Sequence, residues 1–167
     1  MRVRRLFFFL CLSVVTGCSS TFGVIQWSGS GFLRKEFLEY KSVAILPFEG
    51  DDSGEVLGAF AHGFHTKFPQ ISIVDQKTVA DALQGYPLNP GQLNETARGR
   101  LGKTLGVQAL ITGNVYYPTP LRWLLQVVII DAETGGVMGR SLAEVDFMGA
   151  LREKEGAELA VQKLTPQ

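Results

Sequence analysis

Residues 42–48 read Ser-Val-Ala-Ile-Leu-Pro-Phe, and from Val43 to Phe48 the run is continuously apolar rather than alternating. A strand of that kind has no face to offer water, so it belongs inside a sheet covered on both sides. The residues that follow supply the first cover. Val56, Leu57, Phe60, Ala61, Phe64 and Phe68 recur at a spacing near 3.6, which gathers them into one stripe of a helix. Residues 49–53 form the turn between the two, where Asp52 with Glu55 three positions later could cap the helix. A fully buried strand followed by a one-sided helix leaves little choice beyond a layered α/β arrangement.

The rest of the chain repeats the alternation. Residues 71–74 read as a short strand after Pro69, and Asp75 opens a second helix that carries Val79, Ala82 and Leu83. Asn89-Pro90-Gly91-Gln92 offers a cap, a proline at the first helical position and a glutamine three residues on, ahead of a third helix with Leu93, Ala97, Leu101 and Leu105 on one face. Three strands are expected at 109–117, 123–131 and 137–147, the last two joined by the glycine-bearing turn 132–136. In the third of these, Ser141, Ala143, Val145 and Phe147 alternate with Arg140, Leu142, Glu144 and Asp146, the pattern of a half-exposed strand. Ala157, Ala160, Val161 and Leu164 give a closing helix its buried face. The order implies a mixed parallel/antiparallel sheet of about five strands flanked by helices.

The amino end is different in kind. Arg2, Arg4 and Arg5 precede an apolar run, residues 6–15, broken only by Ser13. A bilayer takes roughly 20 apolar residues, so this run fits a secretory signal rather than a span. It ends in Val15-Thr16-Gly17-Cys18, which resembles the bacterial lipobox. That resemblance implies diacylation of the Cys18 thiol, cleavage before it, and acylation of the new amino group. Ser19 stands where an aspartate would mark inner-membrane retention, so the implied destination is the periplasmic face of the outer membrane. Several acyl chains hold a protein stably where one alone is marginal.

Three regions are therefore expected: residues 1–17 as signal, 18–41 as lipidated amino terminus and connector, and 42–167 as the periplasmic domain. The whole chain balances 16 basic against 16 acidic residues; removing 1–17 takes away three arginines and leaves 13 against 16, a net −3. No clustered basic excess remains to replace the counterions of a polyanion, so a nucleic-acid partner is not expected. Cys11 leaves with the signal and Cys18 carries lipid, so no thiol remains for a disulfide, a metal or nucleophilic chemistry. The connector holds Phe22, Trp27, Phe32, Phe37 and Tyr40, too aromatic for a flexible tether, and part of it is expected to pack on the domain or a neighbour.

Five pieces in order carry a family resemblance: Val43-Ala44-Ile45-Leu46-Pro47-Phe48, Ile73-Val74-Asp75, Leu101-Gly102-Lys103-Thr104-Leu105-Gly106, the strand from Ala109 to Val115, and Asp131-Ala132-Glu133-Thr134-Gly135. Together, over roughly residues 42–147, they resemble the CsgG and TolB amino-terminal superfamily. The resemblance implies a noncatalytic binding or assembly domain with no cofactor beyond the lipid. Within the superfamily, curli channels add long membrane-crossing hairpins for which this chain has no segment. Activators of peptidoglycan synthases of the LpoB type carry a long polar linker, where the connector here is short and aromatic. Lipoproteins of exopolysaccharide export of the PelC type are closest in size and layout. That kinship implies a ring of identical subunits beneath an outer-membrane porin, serving a biofilm polymer, with the LpoB role and a curli or flagellar assembly role as alternatives.

Chemical alternatives fare poorly on the residues. Ala97 to Thr104 ends like a phosphate-binding loop in Gly-Lys-Thr, but it lacks the first glycine and has helical periodicity. His62 and His65, three apart, are the only histidines and could share a metal with Asp51 or Asp52, yet zinc sites take three or four ligands. No Gly-x-Ser-x-Gly elbow marks a hydrolase. Two features suit binding instead. Tyr116, Tyr117 and Trp123 surround a Pro-rich hairpin tip and are candidate membrane or subunit contacts; the competing reading is that they cover a strand end. Glu49, Asp51, Asp52 and Glu55 follow the first strand; capping accounts for part of this set, and in a ring Asp51, Asp52 and Glu55 would line a pore that favours a cationic or neutral polysaccharide.

Overall fold

The computed structural model describes residues 26–86, 93–146 and 153–167. Along the chain run β1 (Gln26–Leu33), a 3-10 turn (Lys35–Glu39), β2 (Ser42–Ile45), α1 (Glu55–Lys67), β3 (Ser72–Ile73), α2 (Gln76–Leu83), α3 (Glu95–Leu105), β4 (Ala109–Thr119), β5 (Arg122–Asp131), β6 (Val137–Asp146) and α4 (Glu153–Lys163). The strands form one sheet in the order β1-β6-β5-β4-β2-β3. β2 runs parallel to β4, with Val43 opposite Ala109 and Ile45 opposite Ile111, and parallel to β3; β4, β5, β6 and β1 are antiparallel. The sheet is mixed, as expected, and the continuous Val43 run lies inside it, between β4 and the edge strand β3.

Among the described residues it has six strands rather than five, and the extra one comes from the connector. Gln26–Leu33 reads Gln-Trp-Ser-Gly-Ser-Gly-Phe-Leu, with no apolar run to announce a strand. Pairing makes it one: all eight residues lie opposite β6, from Gln26 against Asp146 to Leu33 against Gly139. Its glycines admit the end of α4, since a Cβ on Gly31 would stand 2.7 Å from the Lys163 carbonyl oxygen. The carboxyl-terminal residues then lock its far end. The Leu33 amide donates to the Thr165 carbonyl at 2.9 Å, and the Gln167 amide donates to the Leu33 carbonyl at 2.9 Å. The 3-10 turn drives Phe37 into the core, where its ring meets Tyr40, Phe64 and Phe68. Among the described residues the fold thus reaches back to Gln26, sixteen residues before the Ser42 boundary expected from periodicity.

Two cores flank the sheet. On one face, α1 and α4 cover Val43, Ile45, Ile111, Leu125, Val127 and Val145, with Phe60 and Phe64 of α1 fully buried. Each such aromatic removes apolar surface worth about 1.5–3 kcal/mol from water. On the other face α2 and α3 cover only the β2 and β4 end, enclosing Ala44, Leu46, Val79, Leu93, Leu101 and Leu110. Beyond α3 no described residue covers that face, and Ser28, Ser30, Gln126 and Arg140 are exposed along it.

The helix caps are partly those expected. Asp75 caps α2, accepting from the Thr78 amide at 2.9 Å. Asn89-Pro90-Gly91-Gln92 lies outside the described residues, and α3 is capped by Asn94, which accepts from the Ala97 amide at 2.9 Å. At α1 the cap position is Gly54, with φ +71°, and the carboxylate that reaches the helix is Asp51, accepting from the Leu57 amide at 2.8 Å. Asp52 does not do this and stands exposed on the turn.

Candidate functional surface

Cys18 and the lipobox-like segment lie outside the described residues. The acids and the tyrosines fall at one end of the molecule. Strand pairing continues past β2, with the Glu49 amide donating to the Gly113 carbonyl and the Val115 amide to the Glu49 carbonyl, so the acidic loop lies beside the upper half of β4. Within that loop the four carboxylates have different employment. Asp51 is half-buried, holds α1 and also accepts from the Ser53 hydroxyl at 3.2 Å. Glu55 meets Lys154 of α4 at 3.5 Å; both side chains are more than half exposed, so the pair is worth at most a few tenths to about 1 kcal/mol. Glu49 accepts weakly from the Asn114 amide at 3.4 Å. Asp52 is exposed on the turn.

The β4–β5 hairpin explains the tyrosines. Tyr116 pairs with Leu124 but Thr119 pairs with Arg122, so one extra residue is accommodated on β4, at the site where Pro118 can donate no ladder hydrogen bond. Past this bulge the tip leaves Tyr116 42%, Tyr117 48% and Leu121 55% exposed. Tyr116 lies on the bare sheet face, whereas the Tyr117 phenol donates to Glu153 at the start of α4. Partial burial, then the Glu153 hydrogen bond and nearby carboxylates including Asp51, push the Tyr117 phenol up to about 12. It is a neutral donor at any physiological pH.

Trp123 is not part of this surface. It is 1% exposed, beneath α4, with Gly156 directly over its six-membered ring. The expectation of a membrane or subunit contact is corrected for this residue. The reason is strand alternation: Trp123 shares a face with Leu125, Val127 and Ile129, all fully buried, while Arg122, Leu124 and Gln126 turn the other way. Leu121 is the most exposed large apolar side chain at the tip, and counting aromatics passed over it.

His62 and His65 are both exposed on α1, and among the described residues no three His, Cys, Asp or Glu side chains are placed to hold a metal ion. Gly102-Lys103-Thr104 lies in the last turns of α3, which end at Gly106 with φ +65°, so this segment is helix and not a loop leaving a strand. At the opposite end of the sheet Asp131 organises the β5–β6 turn. Its Oδ1 accepts from the Glu133 amide at 3.0 Å, the Thr134 amide at 2.6 Å and the Thr134 hydroxyl at 2.8 Å, and its Oδ2 accepts from the Tyr40 phenol. Burial alone would raise the Asp131 carboxyl, but these donors outweigh it and hold it below the usual carboxylate range. Tyr40 moves the opposite way, raised well above an ordinary phenol by burial and by Asp131.

The fold defines a small α/β domain whose mixed sheet is fully covered on one side and half covered on the other. No family model and no curated protein matches the sequence. Among solved structures, the fold is shared with the LpoB carboxyl-terminal domain from Salmonella enterica, at TM-score 0.50 and 12% identity over 64% of this chain and 83% of that one. It is likewise shared with lipoprotein GNA1162 from Neisseria meningitidis, at TM-score 0.51 and 16% identity over 66% and 84%. A PelC dodecamer subunit from Paraburkholderia phytofirmans aligns over more of the chain, 83% against 94% of its own, with 10% identity and a lower TM-score of 0.49. The shared fold rests on the first two.

Proposed function

We propose that this chain is a lipid-anchored, noncatalytic lipoprotein of the periplasmic face of the outer membrane. In this reading it belongs with the CsgG and TolB amino-terminal superfamily and assembles with copies of itself to support export of a biofilm polymer through an outer-membrane porin. The observation that carries the reading is the distance between anchor and fold. Seven residues lie between Cys18 and the first described strand at Gln26, and the eight steps from one to the other, fully extended, reach about 26–29 Å. A domain on so short a tether stays at the membrane that holds it. This favours an export accessory over an activator that must reach through the cell wall, and the fold shared with the LpoB domain is compatible with either.

Two measurements test it. Metabolic labelling with radioactive palmitate should tag the chain and leave it in the outer-membrane fraction, and Cys18→Ala should abolish both. Native mass spectrometry of the full lipidated chain in detergent should give a homo-oligomer; a strict monomer at high concentration rules out the assembly. For the acidic loop the informative substitution is Asp52→Asn, because Asp51 also holds α1. Unchanged polymer export in Asp52→Asn removes the pore-lining role from that residue.

A further inference from the structure

On the bare side of the sheet, where α3 stops, a cleft of about 470 Å³ opens between the helix and the strands. Val128, Ile130 and Val137 make its apolar floor, Thr112, Asn114 and Gln126 contribute a hydroxyl and two amides, and Arg98 and Arg140 supply charge. The sheet register explains this convergence. Thr112, Val128 and Arg140 form one row across β4, β5 and β6, and Asn114, Gln126 and Leu142 form the next. Arg98 enters from α3.

The two arginines stand out electrostatically. Neither side chain makes a hydrogen bond or an ion pair among the described residues, and Nε of Arg98 is buried with no partner. A guanidinium donor taken from water without an acceptor is costly, so such a group points to a ligand that completes it. Glu49 also lines the cleft, but its carboxylate accepts from Asn114, leaving two positive charges against one negative. The size falls in the range of small-molecule sites. Amides and a hydroxyl above an apolar floor suit a polyhydroxylated ring with one C–H face.

We propose that this cleft binds an acidic sugar, a polyhydroxylated ring bearing one oxyanion held in the fork of Arg98 and Arg140. Arginine presents paired donors that match carboxylate and phosphate equally, so both sources share this chemistry. The site is independent of the assembly reading, because it lies within one subunit and needs neither anchor nor ring.

The test is isothermal titration of the full chain in detergent with glucuronate, glucose 6-phosphate and glucose, at constant ionic strength so that diffuse screening does not vary. One of the two acids should bind saturably and glucose should not, and the tighter acid identifies carboxylate or phosphate as the cognate group. Arg140→Gln, on an exposed residue whose loss leaves the fold intact, should weaken binding about tenfold or more, as expected for losing a hydrogen bond to a charged group. Arg98→Lys keeps the charge, loses the fork and should weaken it as well, while Glu49→Gln should tighten it. Failure of both acids to bind, or binding that survives Arg140→Gln combined with Arg98→Lys, overturns the proposal.

Discussion

Gly156 and Gly58 occupy the same position in their helices, the fourth residue of α4 and of α1, so helix propensity treats them alike. Replacing glycine by alanine inside a helix ordinarily stabilises by about 0.5–1 kcal/mol, because the unfolded chain loses freedom. At Gly58 a Cβ would meet nothing within 4 Å, so Gly58→Ala should show this gain. At Gly156 the same Cβ would lie 2.2 Å from Cζ3, 2.6 Å from Cη2 and 3.1 Å from Cε3 of Trp123. Carbon atoms rest about 3.5–4.0 Å apart, so the indole or the helix must move by more than ~1 Å. The indole has nowhere to go, being closed in by α4 and the sheet. Overpacking of this kind costs about 1–3 kcal/mol, which more than offsets the propensity gain. The propensity gain is common to both, so the two substitutions should differ by the overpacking cost, about 1–3 kcal/mol, with Gly156→Ala the less stable. Thermal and urea unfolding of the full chain would read this, at roughly 2–4 °C per kcal/mol for a domain of this size. If Gly156→Ala stabilises as much as Gly58→Ala, the packing of α4 over Trp123 is wrong.

Two further outcomes follow from the same structure. Trp123→Ala should cost about 3–5 kcal/mol in urea unfolding, the usual loss for a buried Trp, while vesicle binding of the folded fraction is unchanged; near-normal stability with lost vesicle binding would return Trp123 to the surface. Tyr40→Phe should cost about 1 kcal/mol at pH 7 by removing its hydrogen bond to Asp131. Because the Tyr40 phenol is raised in the fold, its contribution is fully present below about pH 10, the unfolded value, and is lost as pH rises beyond it. The Asp131 carboxyl is lowered, so its contribution is present above about pH 4 and is lost as pH falls toward its folded value. Unfolding midpoints measured across pH should therefore decline at both ends, and Tyr40→Phe should flatten both limbs; unchanged limbs would show that the pair contributes nothing.

Much of this architecture was legible from residue order. The Phe60–Phe64–Phe68 stripe lies in the core as its spacing requires, and Asp75 caps α2 as an aspartate before a periodic run should. Asp131 followed by Thr134 and Gly135 turns the β5–β6 hairpin, with Gly135 at φ +70°. Where sequence reasoning went astray, long-range contacts had decided. β1 has no apolar signature because its glycines make room for Lys163, 132 positions later than Gly31. Asp51 rather than Asp52 reaches α1 because strand pairing beyond β2 sets where the loop leaves the sheet.

Local chemistry, then, determined the elements: periods of 2 and 3.6, caps and left-handed glycines act within a few residues of where they are written. The sequence alone also determined the expected anchor, because a basic patch, a short apolar run and a cysteine are read before folding. Tertiary structure alone decided which side of the sheet is bare. Among the described residues four helices share the covering of two faces, and α2 and α3 end before they reach β5, β6 and β1. That shortfall brings Arg98 from one helix beside Arg140 from a strand, a meeting of residues 42 positions apart that no local pattern encodes.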